Sequence, residues 1–191
     1  MLGKFLLFKN VLKPLESLTI IQSKQFIDIV EYLYNCCVIH RDLCPENLML
    51  DYNQQHLKLI DFGSAITYQI DELPRRRWIE GTISYAGFQF LNSYHWLSLM
   101  TGIHNCCDYE RTFDLHCAIN IILCTTDDSI QERIISIENT SSFEEKVTTL
   151  LKLWKDIEQS NKQYSKLLEL VNNMTEPLQF DVIKDEIEKL F

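Results

Sequence analysis

The chain has 191 residues, of which 46% are hydrophobic, so it is long and apolar enough to bury the core of one domain. Its 18 lysine and arginine residues face 27 aspartate and glutamate residues, which gives a net charge of −9. Because such a protein repels phosphate backbones, nucleic acid is not an expected partner. The N-terminal apolar run is too short for a signal peptide and no membrane-length stretch follows, so we expect a soluble, intracellular and cytoplasmic protein without a membrane partner.

The first predicted element is an amphipathic helix from Ser23 to about Asn35. Its apolar residues recur at i, i+3, i+4 and i+7, the pattern of one buried helix face: Phe26, Ile29, Val30 and Leu33. The polar segment HRDLCPEN follows this helix. The next apolar runs, NLML and HLKLI, are separated by the turn-forming DYNQQ, and they predict a two-stranded hairpin.

The predicted hairpin brings polar residues together. Asn47 begins the outgoing strand and Asp61 follows the returning one, so both should lie at the open end, where Asp42 reaches them from a loop. Two carboxylates and an amide are hard oxygen ligands of the kind that Mg²⁺ prefers. Phosphoryl transfer uses such a cluster together with a carboxylate that orients the incoming hydroxyl. The alternative is a hairpin with ordinary polar turn residues.

Residues 61 to 88 are predicted to form a long irregular segment, because four breakers interrupt them: Gly63, Pro74, Gly81 and Gly87. The segment HNCCD at 104–108 groups three ligand-type residues, but no second half-site follows at zinc-finger spacing, so we expect no metal centre there. The stretch FDLHCAINIILC at 113–124 is apolar on almost every side, which predicts a buried helix at the centre of a helical lobe.

An apolar stripe with spacings of four and three runs from Phe143 to Val171. It predicts either a coiled coil whose register is set by Asn161, or two amphipathic helices packed on their own domain. Packed helices are favoured because the stripe is near the minimum length for a coiled coil, and self-association through 143–171 stays open. A last short helix is predicted in IKDEIEKLF.

HRDLCPENLML followed by LKLIDFGSA resembles the catalytic loop and DFG motif of eukaryotic-type serine/threonine protein kinases. GTISYAGF is similar to the end of the kinase activation loop, and FDLHCAINIIL to the helix beneath the catalytic loop. The motifs cover about residues 15–124, and the helical tail 125–191 would complete the lobe. The resemblance implies an α+β fold: a mainly α-helical protein kinase C-terminal lobe, with a small β-hairpin carrying the catalytic loop and DFG, in one partial kinase domain over 1–191.

The resemblance also implies roles for five residues of the cleft. Asp42 would be the catalytic base for a substrate hydroxyl, and Thr82 would help to position it. Asn47 and Asp61 would bind Mg²⁺. Met49 would lie near the adenine of ATP. ATP and Mg²⁺ are therefore the expected cofactors.

Four further residues would support the cleft if the resemblance holds. His40 and Phe62 would stack in the hydrophobic column of an active kinase, and Asp114 would hold the backbone of the catalytic loop from below. Arg41 corresponds to an arginine that in many kinases receives an activation-loop phosphate, since a guanidinium binds phosphate strongly.

The chain departs from the kinase pattern at three places. Cys44 stands where serine/threonine kinases usually carry a lysine, so a positive charge is missing where charge builds up during transfer. The activation loop ends in AGFQF without the usual proline and glutamate, which removes an expected buried ion pair. The stretch NSYHWLSLMTGIHNCCDYE is predicted to be an insertion.

Most of a kinase small lobe is not expected in this chain. Only 41 residues precede Asp42, and they contain Gly3 but no glycine-rich loop. Two hypotheses follow: a kinase that acts when a small lobe completes the cleft, or a kinase-derived interaction module or fragment without turnover. The expected partner is a protein substrate or a completing regulatory protein. A small-molecule phosphotransferase is a third option, which the Phe62-Gly63 pair disfavours.

Overall fold

The computed structural model describes residues 12–53, 55–69, 76–101, 106–140, 142–174 and 179–191. Helices hold most of them: α1 (Ile20–Asn35), α2 (Phe88–Thr101), α3 (Phe113–Thr126), α4 (Asp128–Glu138), α5 (Phe143–Ser160), α6 (Lys162–Asn172) and α7 (Phe180–Ile187). The strands are short: β1 (Lys13–Pro14), β2 (Val38–Ile39), β3 (Leu48–Leu50), β4 (Leu57–Leu59), β5 (Ile66–Thr67), β6 (Arg76–Trp78) and β7 (Cys106–Asp108). Three 3-10 turns cover Pro45–Asn47, Phe62–Ser64 and Glu188–Leu190. Gly3, Pro74 and the first two residues of HNCCD lie outside the described residues.

The predicted hairpin is formed by β3 and β4. The two strands are antiparallel, with Leu48 opposite Leu59 and Leu50 opposite Leu57, and β1 pairs with the other edge of β3. Its open end is closed by a hydrogen bond from the Ile60 N–H to the carbonyl of Asn47, at 3.0 Å. The residues that precede β3 and follow β4 are therefore held side by side.

Helix α3 lies at the centre of the lobe, as its sequence predicts. Every residue from Phe113 to Cys124 is buried, and α1, α4 and α6 pack against it. A helix that is apolar on all sides is stable only when other elements cover it on all sides. Helix α3 lies below the polar segment at 40–47 and supports it through Asp114.

Helix α1 begins at Ile20 instead of the predicted Ser23. The reason is a capping box: the Thr19 side chain accepts from the Gln22 N–H, and the Gln22 side chain accepts from the Thr19 N–H. The predicted stripe contributes to the buried face, with Phe26 and Val30 almost fully buried and Ile29 half-buried.

The stripe between 143 and 171 belongs to two packed helices. The chain breaks at Asn161, whose side chain accepts the N–H groups of Gln163 and Tyr164 and so caps α6. The packed-helix interpretation is confirmed, because nearly all apolar members are buried within the chain: Val147, Leu150, Trp154, Ile157, Tyr164, Leu168 and Val171. Self-association through 143–171 stays a prediction, and Phe143 is the exposed apolar member of the stripe.

The prediction of an irregular segment over 61–88 is wrong in part. β5 pairs with β2, and β6 pairs with β7, where Trp78 lies opposite Cys106. Both partner strands are distant in sequence, so a local pattern could not reveal them. The stretch predicted as an insertion forms most of α2 and all of β7. Within the described ranges, no helix is long and apolar enough to cross a membrane.

Candidate active site

The carboxylate of Asp42 is held from two sides at the open end of the hairpin. The main-chain N–H of Thr82 donates to Oδ1 at 2.7 Å. The side-chain nitrogen of Asn47 donates to Oδ2 at 3.2 Å and to the Asp42 carbonyl at 2.9 Å. Asp42 is half-buried, so its carboxylate is oriented and still accessible. The structure brings Thr82 to Asp42 through the main chain of Thr82.

Gly81 allows the close approach of this segment to Asp42. Its φ is +78°, and a Cβ added here would lie 2.6 Å from the Cβ of Asp42. Any side chain at 81 would therefore meet both a conformational cost and a steric clash. Glycine is required if the Thr82 N–H is to reach the carboxylate.

Asn47 and Asp61 lie on either side of the hairpin's open end. Asp61 is exposed, has a left-handed φ of 60°, and accepts the Gly63 N–H on Oδ1 at 3.2 Å. The Ile60 N–H bonds to the Asn47 carbonyl, so Asp61, the next residue, is held beside Asn47, which itself bonds to Asp42. The structure thus brings the predicted acid, amide and second acid together.

The residues of this cluster fit a hard cation. The nitrogen of the Asn47 side chain is committed to Asp42, so its oxygen is the atom available to an ion, together with the exposed Asp61 carboxylate. In the part of the chain that the structure describes, no group of three histidine, cysteine, aspartate or glutamate residues could hold a metal by itself. An ion here would need phosphate and water oxygens to complete its coordination.

Met49 lies in the middle of β3, between Pro14 of β1 and Lys58 of β4. It is half-buried, whereas its neighbours Leu48 and Leu50 are buried in the core. The alternation of strand side chains puts Met49 on the opposite face of the hairpin from those leucines.

The predicted contact between His40 and Phe62 is present. Their ring centroids are 4.7 Å apart with an interplanar angle of 71°, an edge-to-face arrangement. The Nε2 of His40 lies 3.1 Å from the Ile60 carbonyl. Because burial lowers the pKa of His40, we assign a neutral ring that donates from Nε2. Phe62 remains half exposed on its other side.

Asp114 holds the polar segment from below, as predicted. Its carboxylate accepts the His40 N–H at 2.6 Å and the Arg41 N–H at 3.2 Å, from the first turn of α3. Burial raises the pKa of Asp114 to about 6, while the two N–H donors and the Arg41 charge act to lower it. The carboxylate therefore ties the segment to α3, the buried central helix.

The guanidinium of Arg41 joins three parts of the irregular segment. It donates to the carbonyls of Ser64 and Trp78, and it forms a 2.9 Å ion pair with the carboxylate of Glu80. The Arg41 side chain is only 7% exposed, so this pair is well shielded on the arginine side. A carboxylate supplied by the chain occupies the place where the resemblance led us to expect a phosphate. The sequence analysis did not identify Glu80, and no local signal connects it to Arg41.

Cys44 is buried beside acidic groups. Burial first, and then the charges of Asp42 and Glu46, raise the pKa of its thiol to about 11. The side chain is neutral at physiological pH. The missing positive charge noted in the sequence is therefore not replaced by Cys44 itself.

A mainly helical domain, a small hairpin, and an oriented aspartate beside an asparagine agree with the protein kinase resemblance noted in the sequence. The family model described as "Protein kinase domain" matches residues 17–177, and the chain belongs to that family. Membership implies ATP as a substrate and, typically, a divalent metal ion. The match extends past the motifs into α5 and α6, which supports counting these helices with the domain.

Several protein kinases are similar over part of the chain. The Aurora kinase of Encephalitozoon cuniculi is 38% identical over 78 residues, which are 41% of this chain and 27% of that protein. Serine/threonine-protein kinase 1 of African swine fever virus is 38% identical over 77 residues, 39% of this chain and 25% of that protein. Serine/threonine-protein kinase ppk21 of Schizosaccharomyces pombe is 44% identical over 43 residues, 22% of this chain and 8% of that protein. The chain thus covers 8% to 27% of the length of these relatives.

Proposed function

We propose that this chain is the transfer lobe of a serine/threonine protein kinase, which moves the γ-phosphoryl group of ATP to a Ser or Thr hydroxyl. The observation that supports this best is the orientation of Asp42, whose carboxylate is fixed between the Thr82 N–H and the Asn47 side chain. A fixed, accessible carboxylate is suited to orient a hydroxyl and to accept its proton. The related chains named as serine/threonine-protein kinases agree with this substrate class.

The other cleft residues have complementary roles in the proposal. The side-chain oxygen of Asn47 and the carboxylate of Asp61 would hold Mg²⁺, and Met49 would contact the adenine. The ion, when bound, neutralises charge on the transferred phosphoryl group. Thr82 keeps Asp42 oriented, and Arg41 keeps the activation segment close to the cleft through Glu80.

Transfer also requires a second lobe over the nucleotide, which we propose is supplied by a protein partner or by further chain. Asp61 and the ring of Phe62 are exposed at the open end of the cleft, where such a cover would lie. Without a cover, water would reach the phosphates and weaken the electrostatic interactions that transfer needs. A protein, rather than a nucleic acid or a membrane, is the partner that the acidic composition favours.

A second candidate function is binding of a protein partner without turnover. It is favoured by Cys44, because a neutral thiol flanked by Asp42 and Glu46 leaves the transfer site without the usual lysine charge. Under this alternative, the cleft is retained as a scaffold and nucleotide binding is weak or lost.

Calorimetric titration of the purified chain with ATP and Mg²⁺ separates the two candidates. We expect millimolar or tighter binding that requires the ion and disappears in Asp61→Asn. Asp51→Asn is the matched control, because Asp51 lies at the closed end of the same hairpin, where it bonds to His56. Binding that persists in Asp61→Asn would show that Asp61 is not a ligand of the metal ion. No binding at millimolar ATP would favour the interaction module.

A further inference from the structure

The end of the irregular segment is buried although it lacks the acid that would anchor it in an ordinary kinase. Residues 83–87 are all buried, and Ala86 has no exposed surface. Main-chain polar groups in such a position need hydrogen-bond partners, because an unsatisfied buried carbonyl is costly. The partners of Tyr85 and Ala86 therefore show what replaces the missing ion pair.

The side chain of Asn120 is the partner. It lies on α3 with no exposed surface, and its Nδ2 donates to the Tyr85 carbonyl at 3.0 Å and to the Ala86 carbonyl at 3.4 Å. Its Oδ1 accepts the hydroxyl of Tyr164 at 2.7 Å. Carbonyl oxygens accept hydrogen bonds, so only the NH₂ side of the Asn120 amide can bond to the two carbonyls. The Tyr164 hydroxyl donates to the amide oxygen, which favours the same orientation.

Tyr164 is itself held firmly in the first turn of α6. Its main-chain N–H is capped by Asn161, and its ring packs against Trp154 with centroids 6.1 Å apart. It has no exposed surface, and burial raises the pKa of its hydroxyl well above the ordinary value. The hydroxyl is therefore a permanent donor to Asn120 across the physiological pH range.

A separate contact links the same segment to α6. A Cβ added at Gly87 would lie 2.8 Å from the Cβ of His116, so the main chain at Gly87 lies directly on α3. The Nε2 of His116 lies 3.1 Å from the side-chain oxygen of Asn172, near the end of α6. Both bridges run from the segment through α3 to the helical tail.

We propose that Asn120 and Tyr164 are positioning residues that fix the main chain at Tyr85 and Ala86, replacing the missing ion pair with a neutral hydrogen-bonded relay. This rests on the proposed function: Thr82, which holds Asp42, begins the segment that ends at Gly87, so we infer that the peptide carrying the acceptor hydroxyl lies along this segment. The relay makes peptide binding depend on Tyr164 of α6.

Hydrogen exchange of the full chain carrying Tyr164→Phe tests the relay without requiring activity. The substitution keeps the ring on Trp154 and removes only the donor to Asn120. Two reporters are the Ala86 N–H, bonded to the Ile83 carbonyl, and the Leu91 N–H, bonded to the Gly87 carbonyl. We expect both to exchange roughly tenfold faster, the effect of one lost buried hydrogen bond, with no change at Val30 in α1. Tyr52→Phe, which removes a hydroxyl at an exposed position of the hairpin turn, is the control and should leave both reporters unchanged.

The double variant Asn120→Ala with Tyr164→Phe separates a relay from two independent packing contacts. If Tyr164 acts through Asn120, adding Tyr164→Phe to Asn120→Ala should cause no further acceleration at Ala86. Additive effects, or equal acceleration at Val30, would overturn the proposal.

A kinetic measurement on a kinase completed with a small lobe connects the relay to function. Tyr164→Phe should raise KM for a peptide substrate several-fold and leave KM for ATP unchanged, because Asp42, Asn47 and Asp61 are not displaced. A change in KM for ATP alone would contradict the positioning role. A completed wild-type protein without any transfer would refute the proposed function, while the exchange result would still decide whether the relay exists.

Discussion

At the scale of single residues, two cleft residues have a strained main-chain conformation that hydrogen bonds to carboxylates hold in place. Arg41 and Asp61 both have positive φ, 69° and 60°, an unfavourable region for residues with a Cβ. Each conformation is fixed by a side-chain carboxylate: Asp114 accepts the Arg41 N–H, and the Asp61 carboxylate accepts the Gly63 N–H. Such strain persists only where neighbouring contacts over-determine it, and it is common at functional sites.

The charge missing at Cys44 gives the first residue-scale prediction. In a chain completed with a small lobe, Cys44→Lys should raise the rate of phosphoryl transfer about tenfold, because a cation would stand beside Asp42 where negative charge develops. Cys44→Ser is the control, since it replaces the thiol with a polar group and adds no charge. The measurement is kcat with saturating peptide and ATP. Equal rates for the lysine and serine variants would show that charge at this position does not limit transfer.

The sequence predicted the site residues unevenly, and the reason is the distance between partners. The sequence predicted that Asn47 and Asp61 lie close together because a short hairpin joins them. The Glu80 partner of Arg41 could not be predicted, since 39 positions separate them and no repeating pattern connects them. The contact of Thr82 through its main chain was also hidden, because it depends on the positive φ of Gly81.

At the scale of elements, local patterns predicted α1 and α3 well, but they missed α2, most of which was predicted to be an insertion, and the short strands. Helix α3 followed from its apolar composition and α1 from its periodicity, which both act within one helix. Strands β5 and β6 have two and three residues and pair with β2 and β7, so their existence depends on long-range contacts. Two helices were expected across the stripe, but the position of the break at Asn161 was not predicted, because Asn161 falls on the apolar stripe while acting as a helix cap.

The junction of α6 and α7 gives a prediction with a definite pH dependence. Glu186 is buried on α7, where the ammonium groups of Lys166 and Lys189 and the amide of Gln163 bond to its carboxylate. These bonds, that of Lys166 first, lower the pKa of Glu186 from 4.5 to about 2. Because the unfolded chain binds this proton more readily, the stabilisation is fully present above about pH 4.5 and is lost as the pH falls towards 2.

Glu186→Gln should therefore lower the thermal unfolding midpoint by a few degrees at pH 7, and by progressively less below pH 4.5. Thermal unfolding followed by circular dichroism at a series of pH values measures the difference between wild type and variant. Glu169→Gln, at an exposed position on α6, is the control and should show almost no difference at any pH. A gap between wild type and Glu186→Gln that stays constant down to pH 2 would contradict the assigned ion pairs.

At the scale of the whole molecule, contacts between distant parts of the sequence close the lobe. Lys184 on α7 bonds to Asp28 and Glu31 on α1, across more than 150 positions. Helix α1 packs on α3, and α3 carries both Asp114 below the cleft and Asn120 below the end of the irregular segment. The helical tail is therefore part of the scaffold that supports the cleft and not an appendage.

The apolar stripe of α5 and α6 provides the last prediction, because its location in the core decides what a substitution there can do. Leu150 has no exposed surface, so Leu150→Ala should destabilise the folded chain by about 3 kcal/mol through lost burial and an unfilled cavity. Urea denaturation measures this loss, and Lys152→Ala at an exposed position of the same helix should change stability little. Light scattering of the folded wild type and of both variants tests self-association separately. A monomeric wild type would exclude self-association through 143–171. A wild-type dimer that Leu150→Ala weakens, in proportion to the stability lost, would show that association depends on the folding of these helices.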